Sequence, residues 1–232
     1  MRFVEQPGRI ETVRVGEVEQ VEGRHGPLLP NSIRGVLCGP SNCGKTQALI
    51  SLLLSKNGLR FQNVYVYSKS LAQPKYVYLE KLFEKIPEIG YHTFSNNEDI
   101  LSPNQVNPSS IMVFANIACK KQAVVREYFC MGRHFNVDSF YLCQSYAQIP
   151  KHLVRDNLNM IILFQQDDLN LRNIYKSHVN ADMDLETFQD MCRRCWEQRY
   201  GFLLINKDAR VGEGRYRKGY NTFILPDRGQ SF

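Results

Sequence analysis

Nowhere in its 232 residues does the chain carry an uninterrupted apolar run near the roughly 18 residues that a membrane-spanning helix needs. The opening stretch, MRFVEQPGRIETVRVGEVEQ, lacks the basic start and apolar centre of a secretory signal. These two absences predict a soluble, intracellular protein with no membrane partner. A disulfide framework is missing as well. The seven cysteines are odd in number and scattered at Cys38, Cys43, Cys119, Cys130, Cys143, Cys192 and Cys195. Several fall inside apolar runs, where a thiol behaves as a small buried hydrophobe. Cys192 and Cys195 form a C-x-x-C, but no second pair or histidine cluster accompanies them, so ordinary helix residues are favoured over a zinc or redox site. Internal repeats and low-complexity blocks are also lacking, which leaves one domain as the expectation. A net charge of +6 permits a polyanionic partner without demanding one.

The length suits one α/β domain able to bury its own core. Residues 1–30 are polar and read as an N-terminal arm, and residues 31–232 as the folded domain. From Ile33 onward, short apolar runs recur: IRGVLC, NVYVYS, IMVFAN, FYLCQS and MIILFQ. Runs that are apolar throughout mark strands buried on both faces, as in a parallel sheet. Helical patterns lie between them: KTQALISLLLSK, PKYVYLEKLFEKI, KKQAVVREYFCMGRHF and PKHLVRDN. The alternation predicts a mainly parallel central sheet with helices on both faces. Residues 96–110 read as a loop from their Asn, Pro and Ser content. Two more helical stretches follow MIILFQ, and then two strands, GFLLINKD and GYNTFILP, joined by the basic turn ARVGEGRYRK.

Residues 39–46, GPSNCGKT, fit the phosphate-binding pattern G-x-x-x-x-G-K-[ST]. Gly39 and Gly44 permit turns that aim successive N–H groups inward, over Pro40, Ser41, Asn42 and Cys43. The helix that begins near Gly44 and runs through Gln47 adds its positive end. Lys45 would reach the terminal phosphates of ATP, and the Thr46 hydroxyl would ligate Mg²⁺. A strand before and an amphipathic helix after make the motif far more specific than the pattern alone.

What such a socket needs next is missing. A second strand, expected beside the first, should end in an acid for the metal and a second acid to activate water. The candidate, IMVF, runs instead into Ala115 and Asn116. Alanine accepts no hydrogen bond, and asparagine is a poor proton acceptor. Asp167 and Asp168 come too late in the order and read as the opening of a helix.

Residues 33–205 nevertheless resemble the genome-packaging ATPases of large double-stranded DNA viruses and of Maverick/Polinton-type elements, the poxvirus-type branch of the FtsK–HerA superfamily. The likeness rests on GPSNCGKT, IMVF, GRHFN followed by FYLCQSY, and IPKHLVRDNLNMIILF. It implies a P-loop NTPase fold of the RecA/FtsK–HerA type and an ATP-driven translocase of double-stranded DNA, gripped without sequence reading. It also implies a homo-oligomeric ring of five or six subunits working with capsid or portal proteins. The expected location is an assembly site in the host nucleus or cytoplasm, with association with the virion. Gln144 would be the polar sensor of the terminal phosphate, and Arg155 the arginine offered to a neighbouring subunit, with Arg133 as competitor. The bland alternatives are a strand cap and surface charge. Lys120, Lys121, Arg210, Arg215, Arg217 and Lys218 are the candidates for gripping DNA phosphates. The departure at Ala115 and Asn116 predicts ATP binding with impaired hydrolysis. The alternative is an ATP-binding, non-hydrolysing assembly or scaffold protein; a metabolic kinase is disfavoured.

Overall fold

The computed structural model describes residues 23–96, 99–115, 122–149 and 155–225. The apolar runs form strands β1 (Arg34–Cys38), β2 (Asn63–Ser68), β4 (Ser110–Ala115), β5 (Val137–Cys143) and β6 (Met160–Leu163). A further strand, β3 (Gly90–Phe94), went unseen in the pattern. It sits at the sheet edge and is only partly buried, so its sequence GYHTF never shows a continuous apolar run. The order across the sheet is β3-β2-β4-β5-β1-β6, all parallel. The antiparallel strands β7 (Leu203–Asn206), β8 (Tyr216–Lys218) and β9 (Thr222–Phe223) complete it.

Alternation along each strand divides the core in two. Leu37, Val66, Ile111, Val113, Ala115 and Leu142 face α1 (Lys45–Leu54) and α2 (Pro74–Phe83), which contribute Leu49, Leu52, Leu53, Tyr76, Leu79 and Phe83. Val36, Cys38, Met112, Phe114 and Tyr141 face the other layer. There α3 (Gln122–Met131), α4 (Asp168–Ile174) and α5 (Leu185–Trp196) supply Tyr128, Phe129, Ile174 and Phe188. Both faces are therefore covered, as the continuous apolar strands require.

Helix ends follow local chemistry. The Asp167 side chain accepts the Asn170 N–H at the start of α4, and Asp184 accepts that of Thr187 at the start of α5. Within α5, Cys192 and Cys195 are buried free thiols. Burial pushes the Cys195 pKa up to about 11 and that of Cys192 further. Among the described residues no cluster of His, Cys, Asp and Glu could hold a metal ion, and no helix is long and apolar enough to cross a membrane.

Three expectations change. The strand ending at Ala115 is not beside β1, because β5 lies between them and pairs with both. PKHLVRDN shows only one short helical turn, Arg155–Asn157, with residues 150–154 outside the described set. The basic turn before GYNTFILP contains a strand of its own, β8, since Tyr216 and Arg217 are buried against β7.

The arm assigned to residues 1–30 lies outside the described set up to residue 22, and its remainder packs onto the domain. His25 is buried; its Nδ1 accepts the Arg60 N–H at 3.1 Å, and its Nε2 stands 3.0 Å from Asp138. Asp138 also accepts the Ile33 N–H at 2.7 Å and meets Arg24 at 3.2 Å.

Candidate nucleotide site

The loop between β1 and α1 turns through two residues with positive φ, Asn42 at 61° and Gly44 at 107°. Asparagine tolerates that region and glycine prefers it. Gly39 has a different reason for lacking a side chain. A Cβ there would stand 2.6 Å from the Phe164 Cβ and 2.7 Å from the Cys43 Sγ. The loop is thus pressed against the end of β6, and its own N–H is held by the Cys143 carbonyl at 3.2 Å. No side chain caps α1, so the free N–H groups of its first turn open toward the loop.

Lys45 folds back across this turn. Its ammonium donates to the carbonyls of Gly39 (2.6 Å) and Pro40 (2.7 Å) and lies 3.8 Å from the Cys43 Sγ. Burial raises the Cys43 pKa, against the opposing charge of Lys45, and keeps the thiol protonated. A cavity of about 540 Å³ opens beside the loop, lined by Ser41, Asn42, Gly44, Lys45 and Thr46 and by Ala115, Leu142 and Gln144 from the ends of β4 and β5. Gln144 is exposed there. The fourth wall is the start of α2: Gln73, Pro74, Lys75 and Tyr76. Tyr76 is buried, which raises the pKa of its hydroxyl, and the Thr46 and Ser68 hydroxyls are nearby.

Residues 21–224 match the family model described as "Poxvirus A32 protein". The chain belongs to this family. No curated protein is significantly similar to it in sequence. Among solved structures, it is similar to the genome packaging NTPase B204 from Sulfolobus turreted icosahedral virus 2 in complex with sulfate. That match has 14% identity and a TM-score of 0.54, covering 84% of this chain and 98% of the other. The same enzyme in complex with ATP-gammaS matches at 11% identity and a TM-score of 0.53, covering 83% and 98%. B204 described as the DNA-packaging ATPase from Sulfolobus turreted icosahedral virus matches at 12% and 0.51, covering 80% and 95%. At these identities the likeness concerns the fold, a P-loop NTPase with a mainly parallel sheet.

In this member of the A32 family, Arg155 is tied to its own chain. Its guanidinium donates to the carbonyls of Ala147 and Ile149, both at 2.6 Å, and lies 4.8 Å above the Tyr146 ring. Within the chain it braces the segment that follows Gln144. Arg133 is exposed at the opposite end of the parallel strands, just before β5. There it shares a small polar cavity with Arg34, Lys207, Asp156 and Asp208, away from Lys45.

The expected DNA grip at the C-terminal turn is corrected. Arg217 is buried and donates to the Gly214 and Leu28 carbonyls at 2.7 and 2.6 Å. Arg215 pairs with Asp182 at 2.5 Å. Both staple the antiparallel strands rather than face solvent. Lys218 meets Glu197 at 3.4 Å, while Arg210 is exposed. Asn116, Lys120 and Lys121 lie outside the described residues.

The donor set does not fit a magnesium ion held by the protein. Such an ion is normally bound by one or two carboxylates besides the phosphates. The described lining offers one aliphatic hydroxyl on α1, that of Thr46, and no Asp or Glu. Lys75 and Tyr76 were missed as site residues. A proline opening the helix after the second strand, PKYVYL, was the available signal, since Pro at the first helical position marks an N-terminus.

Proposed function

We propose that the chain is a nucleotide-binding subunit of a machine that packages double-stranded DNA into a viral capsid, and that it hydrolyses ATP slowly. The observation that carries this reading is one cavity holding Lys45, Thr46 and Gln144 with Ala115 in its wall. Phosphate entering the loop draws the Lys45 ammonium off the Gly39 and Pro40 carbonyls. The triphosphate then takes those contacts, together with the free N–H groups of α1. Gln144 orients the attacking water but cannot take its proton. Position 115, which faces the α1 and α2 layer at the end of β4, is the place for the metal-binding carboxylate, and position 116 for the carboxylate base. Losing that base costs about 10²–10⁴ in rate.

Subunits in this reading form a ring of five or six. Arg155 transmits nucleotide state through the Gln144 segment, and Arg133 stays as the exposed candidate for a neighbour. Lys120 and Lys121, which follow β4, remain the candidates for DNA phosphates, with Arg210 at the C-terminal turn. Capsid or portal proteins are the expected partners.

Ala115 favours one alternative from another class, an assembly or scaffold protein in which ATP only stabilises the ring. DNA-stimulated ATP turnover, measured beside an Ala115→Asp/Asn116→Asp version, separates the two. Stimulation that rises by about 10² or more in the double variant supports a motor lacking its base. Equal, unstimulated turnover in both refutes the motor reading and leaves the scaffold.

A further inference from the structure

The wall opposite the phosphate loop is cationic, and it lacks acid throughout. The described lining falls within residues 41–46, 73–76, 115 and 142–144 and includes no Asp or Glu. Two helices open toward this one cavity. The first is α1, behind Lys45. The second is α2, which starts with Pro74, has no side-chain cap and carries Lys75 in its first turn. Two positive helix ends and two ammonium groups thus surround a space bounded on its remaining side by Ala115, Leu142 and the neutral amide of Gln144.

In a site with a carboxylate at the end of β4, a bare polyphosphate is repelled by the acid until a divalent ion lies between them. Here that repulsion is gone. The hydroxyl that would face the ion, on Thr46, has the neutral hydroxyls of Tyr76 and Ser68 nearby. Ser68 lies in register with Ala115 on the adjacent strand, so neutral groups occupy the ground where acid and metal would meet.

We propose that this chain binds the polyphosphate tail of a nucleotide without a divalent metal ion, with Lys75 and the first turn of α2 supplying the positive charge that the ion would bring. The proposal rests on the nucleotide reading of the site. Lys75 is exposed at the cavity mouth, and its flexible stem lets the ammonium settle on the terminal phosphates beside Lys45.

The test is equilibrium binding of mant-ATP to the full chain, by fluorescence, with excess EDTA and with excess magnesium. Dissociation constants within about threefold of each other are expected, a difference of under about 1 kcal/mol. Lys75→Ala should weaken binding in EDTA about tenfold, the worth of one charge-assisted hydrogen bond. Its thermal unfolding should not move, because the side chain is exposed. Ala115→Asp should make binding depend on magnesium, and circular dichroism would establish that this variant folds. A wild-type affinity that falls more than about tenfold on chelation overturns the proposal. So does a Lys75→Ala chain that binds as the wild type does in EDTA. Absence of binding under both conditions refutes the nucleotide site itself, which separates failure of the general reading from failure of this one.

Discussion

Replacing Asp138 by Ala should destabilise the domain severely while leaving the nucleotide site intact. Asp138 is wholly buried at the start of β5. One carboxylate oxygen accepts the Ile33 N–H at 2.7 Å, and the other stands 3.0 Å from the His25 Nε2 and 3.2 Å from Arg24. The Arg60 N–H donates to the His25 Nδ1, which leaves Nε2 as the ring atom facing Asp138. The 3.0 Å approach is a close polar contact rather than an aligned hydrogen bond. Removing the carboxylate orphans the buried Ile33 N–H and strips the buried His25 edge of its polar neighbour, each loss worth about 1–3 kcal/mol. Arg24 is 19% exposed and regains water, so its share stays under about 1 kcal/mol. The total is about 3–5 kcal/mol, as for other broken buried pairs. For a domain of this size that lowers Tm by about 6–20 °C. Asp138→Asn should fall between, because it keeps an acceptor for Ile33 but turns an NH₂ group toward two other donors. Mant-ATP affinity below the transition should not change, since Asp138 lies about 16 Å along β5 from the end that carries Gln144. A Tm shift under about 2 °C for Asp138→Ala would refute this account of how residues 23–33 are anchored.

Gly39→Ala should weaken mant-ATP binding by more than about tenfold, because the new Cβ collides with Phe164 and Cys43 and displaces the loop carbonyls that now hold Lys45. Wild-type affinity in a folded Gly39→Ala chain would refute the tight seat of the loop on β6. The buried His178, 2.5 Å from the Tyr146 hydroxyl, gives a pH signature. Burial, with Lys207, Arg155 and Arg215 against the opposing Asp156, lowers its pKa to about 3. The unfolded chain therefore binds the proton first. Stability is full above about pH 6.5 and falls as pH drops toward about 3, by at most about 4–5 kcal/mol. Urea unfolding at pH 7, 5 and 4 should show a steeper loss for wild type than for His178→Gln, and parallel losses would refute the assignment.

Local patterns were legible in the sequence for plain reasons. The five parallel strands buried on both faces read as continuous apolar runs. Gly39 and Gly44 marked a tight turn between strand and helix, because close packing at the first and a positive φ at the second demand glycine. The family could be read from motifs flanking the missing acids. Edge strand β3 escaped because it is only half buried, and the strand in the basic turn escaped because its arginines hide beneath it.

Tertiary structure decided what each charge does. A string of basic residues near the C-terminus reads as a grip for polyanions until Arg217 is found buried on the Leu28 carbonyl and Arg215 on Asp182. That the Arg155 guanidinium lies on the Ala147 and Ile149 carbonyls is likewise visible only in the folded chain. The order of strands, with β5 between β1 and β4, and the turning of α2 toward the phosphate loop depend on contacts between residues far apart in the chain. Composition and periodicity report only which faces are buried. They do not say which distant groups meet there.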